Sequence, residues 1–314
     1  LILPNKNIFM HTTKELENKT SYTYFGARYY DSELSGWLSV DPLVHNAPGW
    51  SPYNAMWNNP ILNIDPDGRW AGDYYNKEGQ WLGYDGIDDD KVYIASSVTK
   101  NDKGLVTSAE NSQELSISHT EFQTISAIVK HEAGTSDANE NLWIAHTANN
   151  AADQSGVSLY DKLMSGYSSA PTEAKVPLST SANSPKANAA RAAVLDVFSG
   201  GADPTGGSTL WDGTDFLAWG LNSPYGGKPH AKFRQYNNIS ISGDIYNSYL
   251  SGALNKYPKG RVRYFGKYYN ITASVFSNEA NWSGGNFNYN TGYKGTFGIK
   301  ATGAFGHSIF WKKQ

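Results

Sequence analysis

Glu132 is the side chain in this sequence best suited to acid–base chemistry. It follows Phe122, Ile125 and Val129 at the spacing of one helical face, so its carboxyl group ends an apolar stripe. Apolar surroundings disfavour the charged form of a carboxyl group and raise its pKa. A carboxyl group that keeps its proton at neutral pH can act as a general acid, which favours a catalytic role for Glu132. The alternative is an ordinary glutamate that turns into solvent at a helix end.

The elements that position Glu132 are predicted to be helices. Ser118 and Glu121 have the spacing of a capping box, and Gly134 is typical of a residue just beyond a helix C-terminus. A second helix is predicted over about 137–153. A third is predicted over Pro185–Phe198, since proline favours the first helical position. The other predicted elements are a strand at Lys91–Ala95, short helices at Asp215–Trp219 and Asp244–Leu254, and a hairpin of Thr296–Thr302 with His307–Lys312.

Residues 1–70 differ from the rest of the chain in composition. They hold six of the 13 prolines and four of the ten tryptophans, which indicates short strands joined by turns. From Tyr22 to Gly68 this part contains the runs YFGARYYD, DPL, WSPYN, NNP and DPDG in that order. The stretch resembles the C-terminal end of the Rhs repeat-associated core, the β-cocoon that encloses toxins in bacterial polymorphic toxin systems. The resemblance implies that the residues after Gly68 are the toxin.

Two later blocks, IVKHEAGTSDANENLWIAHTANNAAD from Ile128 and FSGGADPTGGSTLWDG from Phe198, carry a second resemblance. They are similar to the signature blocks of the spore-cortex-lytic, SleB-type cell-wall hydrolases. The resemblance covers about residues 125–215. It implies a lysozyme-like fold that cleaves the β-1,4 bond between N-acetylmuramic acid and N-acetylglucosamine, with Glu132 acting alone as general acid and base. The implied substrate-binding residues are Asn150, Asp203, Thr205, Gly206 and Gly207.

The chain departs from the SleB pattern at two positions. Ser136 stands where the family usually has a second Glu, and Gly134 stands where it usually has Arg. The choice between a lytic reaction, which needs one carboxylate, and hydrolysis, which needs two, is therefore open. The candidates for a second carboxylate are Asp137, Asp153, Asp203 and Asp212.

Asp41 and Asp65, each followed by proline, are candidates for self-cleavage. Two nearby carboxyl groups can share a proton and activate water, as in aspartic proteases. The Rhs resemblance implies a cut shortly after the closing DPDG, near Arg69. The alternative is that both Asp-Pro pairs are only turns.

Composition excludes several classes of protein. The net charge is −3 and the basic residues are dispersed, which argues against a nucleic-acid-binding protein. The chain has no cysteine, which excludes disulfides and thiolate metal sites. No run of about 18 apolar residues exists, so no membrane span is predicted. His131 and His146 lack the spacing of a zinc-binding pair, so neither a metal nor a cofactor is expected.

These observations predict an α+β protein with three parts. Residues 1–70 form a small β segment of Rhs core, 71–116 a spacer with a hairpin, and 117–314 the toxin domain. Within the toxin domain, 117–222 are the mainly α, lysozyme-like core and 223–314 a β-rich tail. The expected activity is cleavage of peptidoglycan. The alternatives are a wall-binding module without enzyme activity and a nuclease-type Rhs toxin.

The two resemblances also predict where the protein acts and what it meets. It is expected to be a secreted or injected effector that works in the periplasm or cell wall of a target bacterium. Its partners are then peptidoglycan and a cognate immunity protein that protects the producing cell. The start LILPNKNIF has no features of a signal peptide, so the chain is expected to be a fragment of a longer protein.

Overall fold

The computed structural model describes residues 20, 22–24, 28–40, 51, 53, 55, 73–86, 90–166, 175–219, 230–264, 267–271 and 275–314. Asp41 and Asp65, the candidates for self-cleavage, lie outside these residues.

The fold is α+β, as predicted. The described residues form two compact units. The first contains those up to Phe122 together with 179–183, and the second contains those of 123–178 and 184–314.

The first unit holds three small sheets. One has the strand order β1-β2-β3, one has the order β5-β4-β6-β9, and one is the hairpin β7-β8. The strand predicted at Lys91–Ala95 is confirmed as β6. The strands are β1 Tyr22–Tyr24, β2 Tyr29–Asp31, β3 Gly36–Trp37, β4 Asp73–Tyr75, β5 Trp81–Tyr84, β6 Lys91–Ile94, β7 Ser97–Lys100, β8 Val106–Glu110 and β9 Gln113–Ser118.

Helix α1, His119–Glu132, begins in the first unit and ends at the candidate catalytic residue. The predicted capping box is confirmed. Ser118 Oγ accepts a hydrogen bond from Glu121 N at 3.2 Å, and Glu121 Oε2 accepts one from Ser118 N at 3.4 Å. The apolar stripe is not the only buried face, because every residue from Phe122 to Val129 is buried. Glu132 therefore stands three residues after a continuous buried stretch of α1.

The helices of the second unit agree with most predictions. The third predicted helix, Pro185–Phe198, is confirmed as α4, and Ser184 Oγ caps it by accepting from Ala187 N at 3.2 Å. The predicted helix at 137–153 is α2, whose N-cap is Asp137. Helix α3 was not predicted from the sequence. The helices are α2 Ala138–Ser155, α3 Leu159–Gly166, α4 Pro185–Phe198, α5 Thr214–Trp219 and α6 Gly243–Lys256.

A six-stranded sheet with the order β10-β17-β16-β11-β15-β14 forms the other half of the second unit. Strands β11 and β16 are parallel, and the other neighbours are antiparallel. The predicted terminal hairpin is confirmed as β16 and β17. A separate hairpin is formed by β12 and β13. The strands are β10 Leu210–Asp212, β11 Tyr236–Ser242, β12 Arg261–Tyr264, β13 Lys267–Asn270, β14 Trp282–Ser283, β15 Asn286–Asn290, β16 Phe297–Phe305 and β17 Ser308–Lys313.

An aromatic core holds this sheet against α5 and α6. Phe216 of α5 lies at its centre, with ring centroids 5.7 Å from Trp311, 5.8 Å from Phe276 and 6.0 Å from Tyr236. All four side chains are buried. Each such ring contributes several kcal/mol of burial free energy, of the order of 25 cal/mol per Å². The core therefore fixes β10 and α5, which carry residues of the candidate site.

Candidate active site

Glu132 is half-buried and lines a cavity of about 290 Å³. Four segments of the chain meet around this cavity. They are the end of α1, the junction of β10 with α5, the end of α6 and the turn between β16 and β17. The other lining residues are Gly134, Gly213, Thr214, Asp215, Lys256, His307 and Ser308.

Burial raises the pKa of the Glu132 carboxyl group above its usual value. The charges of His131 and Lys232 and a hydrogen bond from Trp211 oppose this shift without cancelling it. The direction is the one that the apolar pattern of α1 predicts. Burial therefore makes the Glu132 carboxyl group easier to protonate than an ordinary glutamate.

Lys232 is a cation whose charge acts on this carboxyl group, and its bonds to Asp212 and Trp211 hold it in place. Its Nζ lies 2.9 Å from Asp212 Oδ1 and donates to the carbonyl oxygen of Trp211 at 2.8 Å. The Asp212 side chain is 2% exposed, whereas the Lys232 side chain is 47% exposed. Asp212 Oδ2 also accepts from Trp311 Nε1 at 3.0 Å and from the Tyr236 hydroxyl at 3.4 Å. Asp212 is thus an anchor that fixes Lys232 beside Trp211.

Lys232 remains charged at neutral pH. Partial burial lowers the pKa of its ammonium group, but the negative charges of Asp212, Asp215 and Glu132 outweigh this effect and raise it. A permanent cation near Glu132 stabilises the carboxylate form of Glu132. Lys232 consequently limits how far burial can raise the pKa of Glu132.

Asp215 is a second carboxyl group on the same cavity as Glu132. Its Oδ2 lies 3.1 Å from Nε2 of His230. Partial burial raises the pKa of Asp215, but the hydrogen bond and charge of His230 and the charge of Lys232 outweigh this and hold it below the usual value. The surroundings thus move the pKa values of Glu132 and Asp215 in opposite directions. Such a pair can supply one protonated acid and one carboxylate at the same pH.

The four aspartates considered from the sequence as second carboxylates occupy other places. Asp137 caps α2 by accepting from Asn139 N at 2.8 Å, and the exposed Asp153 accepts from Asn149 at 3.2 Å. Asp212 is the buried anchor of Lys232, and Asp203 lies in the loop before β10. None of the four is among the residues that line the cavity beside Glu132.

Gly134 allows the turn between β16 and β17 to approach the end of α1. A Cβ at this position would overlap the ring of His307, so only glycine fits. Gly134 stands just beyond the end of α1 at Glu132, as predicted, and its φ is not positive. Glycine is required here because the side chain of His307, from far along the chain, approaches closely. The helix end itself does not require it.

Glu140 of α2 binds the same turn through its carboxylate group. It is fully buried, and each of its carboxylate oxygens accepts two hydrogen bonds. Oε1 accepts from His307 N and Ser308 Oγ, both at 2.9 Å. Oε2 accepts from Thr135 N at 2.9 Å and Thr135 Oγ1 at 2.6 Å. Glu140 thus ties the α1–α2 loop to the turn that carries His307.

Asn150 and the loop Asp203–Gly207, the implied substrate-binding residues, lie together. Asn150 Nδ2 lies 3.1 Å from Asp203 Oδ2, 3.1 Å from Thr205 Oγ1 and 3.0 Å from Ser208 O. Asp203 also accepts from Thr205 N at 2.8 Å and from Gly207 N at 3.1 Å. Slight burial raises the pKa of Asp203, but these hydrogen bonds outweigh it and hold the value low.

The loop is ordered by its own hydrogen bonds and leads directly into β10. Gly206 and Gly207 have φ of 64° and 82°, a region that favours glycine. None of the implied substrate-binding residues lines the cavity beside Glu132. Their contact with substrate remains a prediction. The bonds that the structure describes give the loop a positioning role, since Trp211 and Asp212 follow it.

Replacing Asn150 with Ala should loosen this loop. Three contacts of one amide group are lost at a partly buried site, so we expect the free energy of unfolding to fall by about 1–3 kcal/mol. Chemical denaturation measures the change. Asn149→Ala on the same helix is the control, because Asn149 makes one exposed bond to Asp153. Equal effects of the two substitutions would contradict the positioning role.

Reasoning from the sequence missed most of the residues around Glu132. Asp215, His230, Lys232 and His307 are separated from it by about 80–175 positions in the chain. No spacing rule links such residues. Three of them, His230, Lys232 and His307, lie after residue 222, in a segment that was predicted only as a β-rich tail. Glu140 is one helical turn from Asp137 and carries no signal of burial in the sequence.

The two histidines near Glu132 in the sequence have no shared role. His131 is exposed, and His146 is buried with Nε2 2.8 Å from Asp196 Oδ2. Within the described ranges, no group of three or more His, Asp or Glu side chains is arranged to hold a metal ion. The helices in those ranges include none that is long and apolar enough to cross a membrane.

Comparison with known proteins gave short matches. No family model matches the chain, and no solved structure matches it. The chain is 28% identical over 106 residues to the tRNA(Glu)-specific nuclease WapA of Bacillus subtilis subsp. natto, which is 33% of this chain and 4% of that protein. It is 35% identical over 63 residues to salivary gland surface protein 1 of Aedes aegypti, which is 20% of this chain and 2% of that protein. The chain therefore matches only a small fraction of each relative's length.

Proposed function

We propose that this chain is the C-terminal, toxin-bearing part of an Rhs-type polymorphic toxin and that it cleaves the glycan strands of peptidoglycan. The observation that carries the proposal is the pair of carboxyl groups on one cavity. The pKa of Glu132 is raised and the pKa of Asp215 is lowered. Pairs of this kind divide the roles of acid and carboxylate in glycoside cleavage.

In the proposed reaction, Glu132 donates its proton to the glycosidic oxygen as the bond to the sugar breaks. The positive charge that develops on the sugar ring is stabilised by the carboxylate of Asp215. The Glu132 carboxylate then takes a proton either from water or from the C6 hydroxyl of the muramic residue. The first route gives a reducing end and the second gives a 1,6-anhydro end.

The remaining parts of the proposal come from the two resemblances. The catalytic core is lysozyme-like, and the protein acts in the periplasm or cell wall of a target bacterium. Its partners are peptidoglycan and a cognate immunity protein. The hydrogen bonds of Asn150 to Asp203 and Thr205 support this part of the proposal, because they bring together residues that the SleB-type resemblance implies to bind substrate.

Digestion of purified sacculi tests the proposal. The unaltered chain should release soluble muropeptides, and mass spectrometry of their ends should show one product class, either reducing or 1,6-anhydro. Binding of sacculi without release of any muropeptide would contradict the enzyme and support the wall-binding alternative.

The pH dependence of cleavage should depend on Lys232. Glu132 must be protonated to act as the acid, so the rate falls as the pH rises through its pKa. The charge of Lys232 lowers that pKa, so in Lys232→Gln the pKa is higher and the alkaline limb of the pH–rate profile should move to higher pH. Lys232→Arg keeps the charge and should leave the limb in place. A limb that does not move in Lys232→Gln would disprove this role.

A second candidate function is RNA cleavage. It is favoured by the match over a third of this chain to a protein named as a tRNA(Glu)-specific nuclease. Incubation of the chain with total tRNA, followed by gel analysis, tests this candidate. Specific tRNA fragments, together with intact sacculi in the digestion assay, would replace the peptidoglycan proposal with this one.

A further inference from the structure

A second cavity of about 670 Å³ lies along one face of α6. Its other walls are the turn from β16 to β17, including Phe305 and His307, and the α1–α2 loop. His307 also lines the cavity that contains Glu132, so the two cavities meet at this side chain. We call the larger cavity the α6 groove. Its α6 residues are Asn247, Ser248, Ser251, Gly252 and Asn255.

The α6 groove is polar and carries little charge. Asn247, Ser251 and Asn255 are each four residues apart on α6, so they lie along one helical face, and all three are exposed. Amide and hydroxyl groups both donate and accept hydrogen bonds, which matches the hydroxyl and N-acetyl groups of sugars. Phe305, half-buried at the opposite wall, provides an aromatic surface. A phosphate polymer would instead require several cations.

The walls of the groove are fixed before any ligand binds. Gly252 brings α6 directly against the backbone of the β16–β17 turn, where a Cβ would overlap the carbonyl oxygen of Gly306. The other side of the turn is held by Glu140 through His307 N and Ser308 Oγ. A binding surface that is already ordered avoids the entropic cost of ordering on binding.

His307 lines both cavities at the point where they adjoin. Its Nδ1 is buried against Gly134 and has no hydrogen-bond partner among the described residues. Burial lowers the pKa of the His307 ring, and the positive charges of Lys256 and Lys186 lower it further against the opposing charge of Glu140. The ring is therefore neutral at neutral pH, and one of its nitrogens donates while the other accepts.

We infer that the α6 groove binds the N-acetylated sugars of a glycan strand on one side of the bond that is cut at Glu132, and that His307 contacts the strand at the junction. The inference rests on the proposed function. It is separate from the SleB resemblance, which ends near residue 215 and does not include α6 or the β16–β17 turn. It also gives the segment after residue 222 a role in binding substrate.

Obstructing the groove tests the inference. Ser251→Trp places a large side chain in the groove, and the exposed Ser165→Trp on α3 is the matched control, since Ser165 lines neither cavity. Both are combined with Glu132→Gln, and binding of soluble glycan strands stripped of their peptides is measured by calorimetry. We expect Kd to rise at least about tenfold for Ser251→Trp and to stay unchanged for Ser165→Trp. Thermal melting verifies folding.

A second variant removes contacts without adding bulk. Asn247→Ala combined with Asn255→Ala should also weaken glycan binding, and in the active enzyme it should raise KM more than it lowers kcat. Unchanged binding by both groove variants, with normal cleavage of sacculi by the unaltered chain, would overturn the groove and leave the proposed function standing. If the unaltered chain releases no muropeptide, the proposed function fails before any groove variant is compared.

Discussion

Glu132→Gln is expected to reduce the rate of glycan cleavage by about 10²–10⁴-fold while the chain remains folded. Glutamine has nearly the same shape as glutamic acid but cannot give up or take a proton. The loss should appear mainly in kcat, because the cavity residues that contact the sugars are unchanged. Release of soluble muropeptides from sacculi, followed over time, measures the effect.

The same substitution should make the protein more stable at neutral pH. Because the folded protein raises the pKa of Glu132 above its usual value near 4.5, the ionised form is disfavoured by folding. This penalty is absent below the usual pKa, grows as the pH rises towards the raised pKa and is complete above it. Glutamine carries no such penalty. Denaturant midpoints of the two proteins should therefore agree at low pH and separate as the pH rises, with Glu132→Gln the more stable.

Glu279→Gln is the control for both measurements. Glu279 is exposed and lines neither cavity, so neither cleavage nor stability should change by more than a small amount. Cleavage at the normal rate by Glu132→Gln would exclude Glu132 as the general acid. If the variant lost activity because it had unfolded, the loss would say nothing about catalysis, and the denaturant series would reveal that unfolding.

Glu140→Ala is expected to be the most destabilising single change in the second unit among the residues considered above. It leaves two backbone N–H groups, of Thr135 and His307, and two hydroxyl groups without their buried acceptor. At about 1–3 kcal/mol for each unsatisfied buried group, with partial relaxation, we expect a loss of about 3–5 kcal/mol in the free energy of unfolding. Urea denaturation gives this value directly.

Two further variants separate the bonds of Glu140 from general effects on α2. Asn139→Ala changes the exposed neighbouring residue and should leave stability within about 0.5 kcal/mol. Glu140→Gln keeps one acceptor oxygen and should lose about half as much stability as the alanine variant. If Glu140→Ala melted like the unaltered protein, the carboxylate would not be what ties the α1–α2 loop to the turn at His307.

Local signals were sufficient to predict much of the secondary structure. The capping box at Ser118 and the Ser184-Pro185 pair predicted helix starts because their groups bond within a few residues of the chain. The terminal hairpin was also predicted, since its two strands are close in sequence. Helix α3 and the reason for Gly134 were not predicted. Helix α3 was missed although Ser158 and Asp161 have the spacing of a capping box, and Ser158 Oγ accepts from Asp161 N at 3.0 Å. The need for glycine at position 134 depends on a side chain more than 170 residues away.

The sequence by itself determined which carboxyl group merits attention and where the main helices run. These conclusions depend on local hydrogen bonds, on helical spacing and on two resemblances. Only the tertiary structure decided what surrounds Glu132. The strand order places β10 beside β17 and brings Asp215 and His307 to the cavity of Glu132, while Asp212 of β10 holds Lys232 nearby. Their pKa values and contacts depend on burial and on distances through space, and neither property is encoded in spacing along the chain.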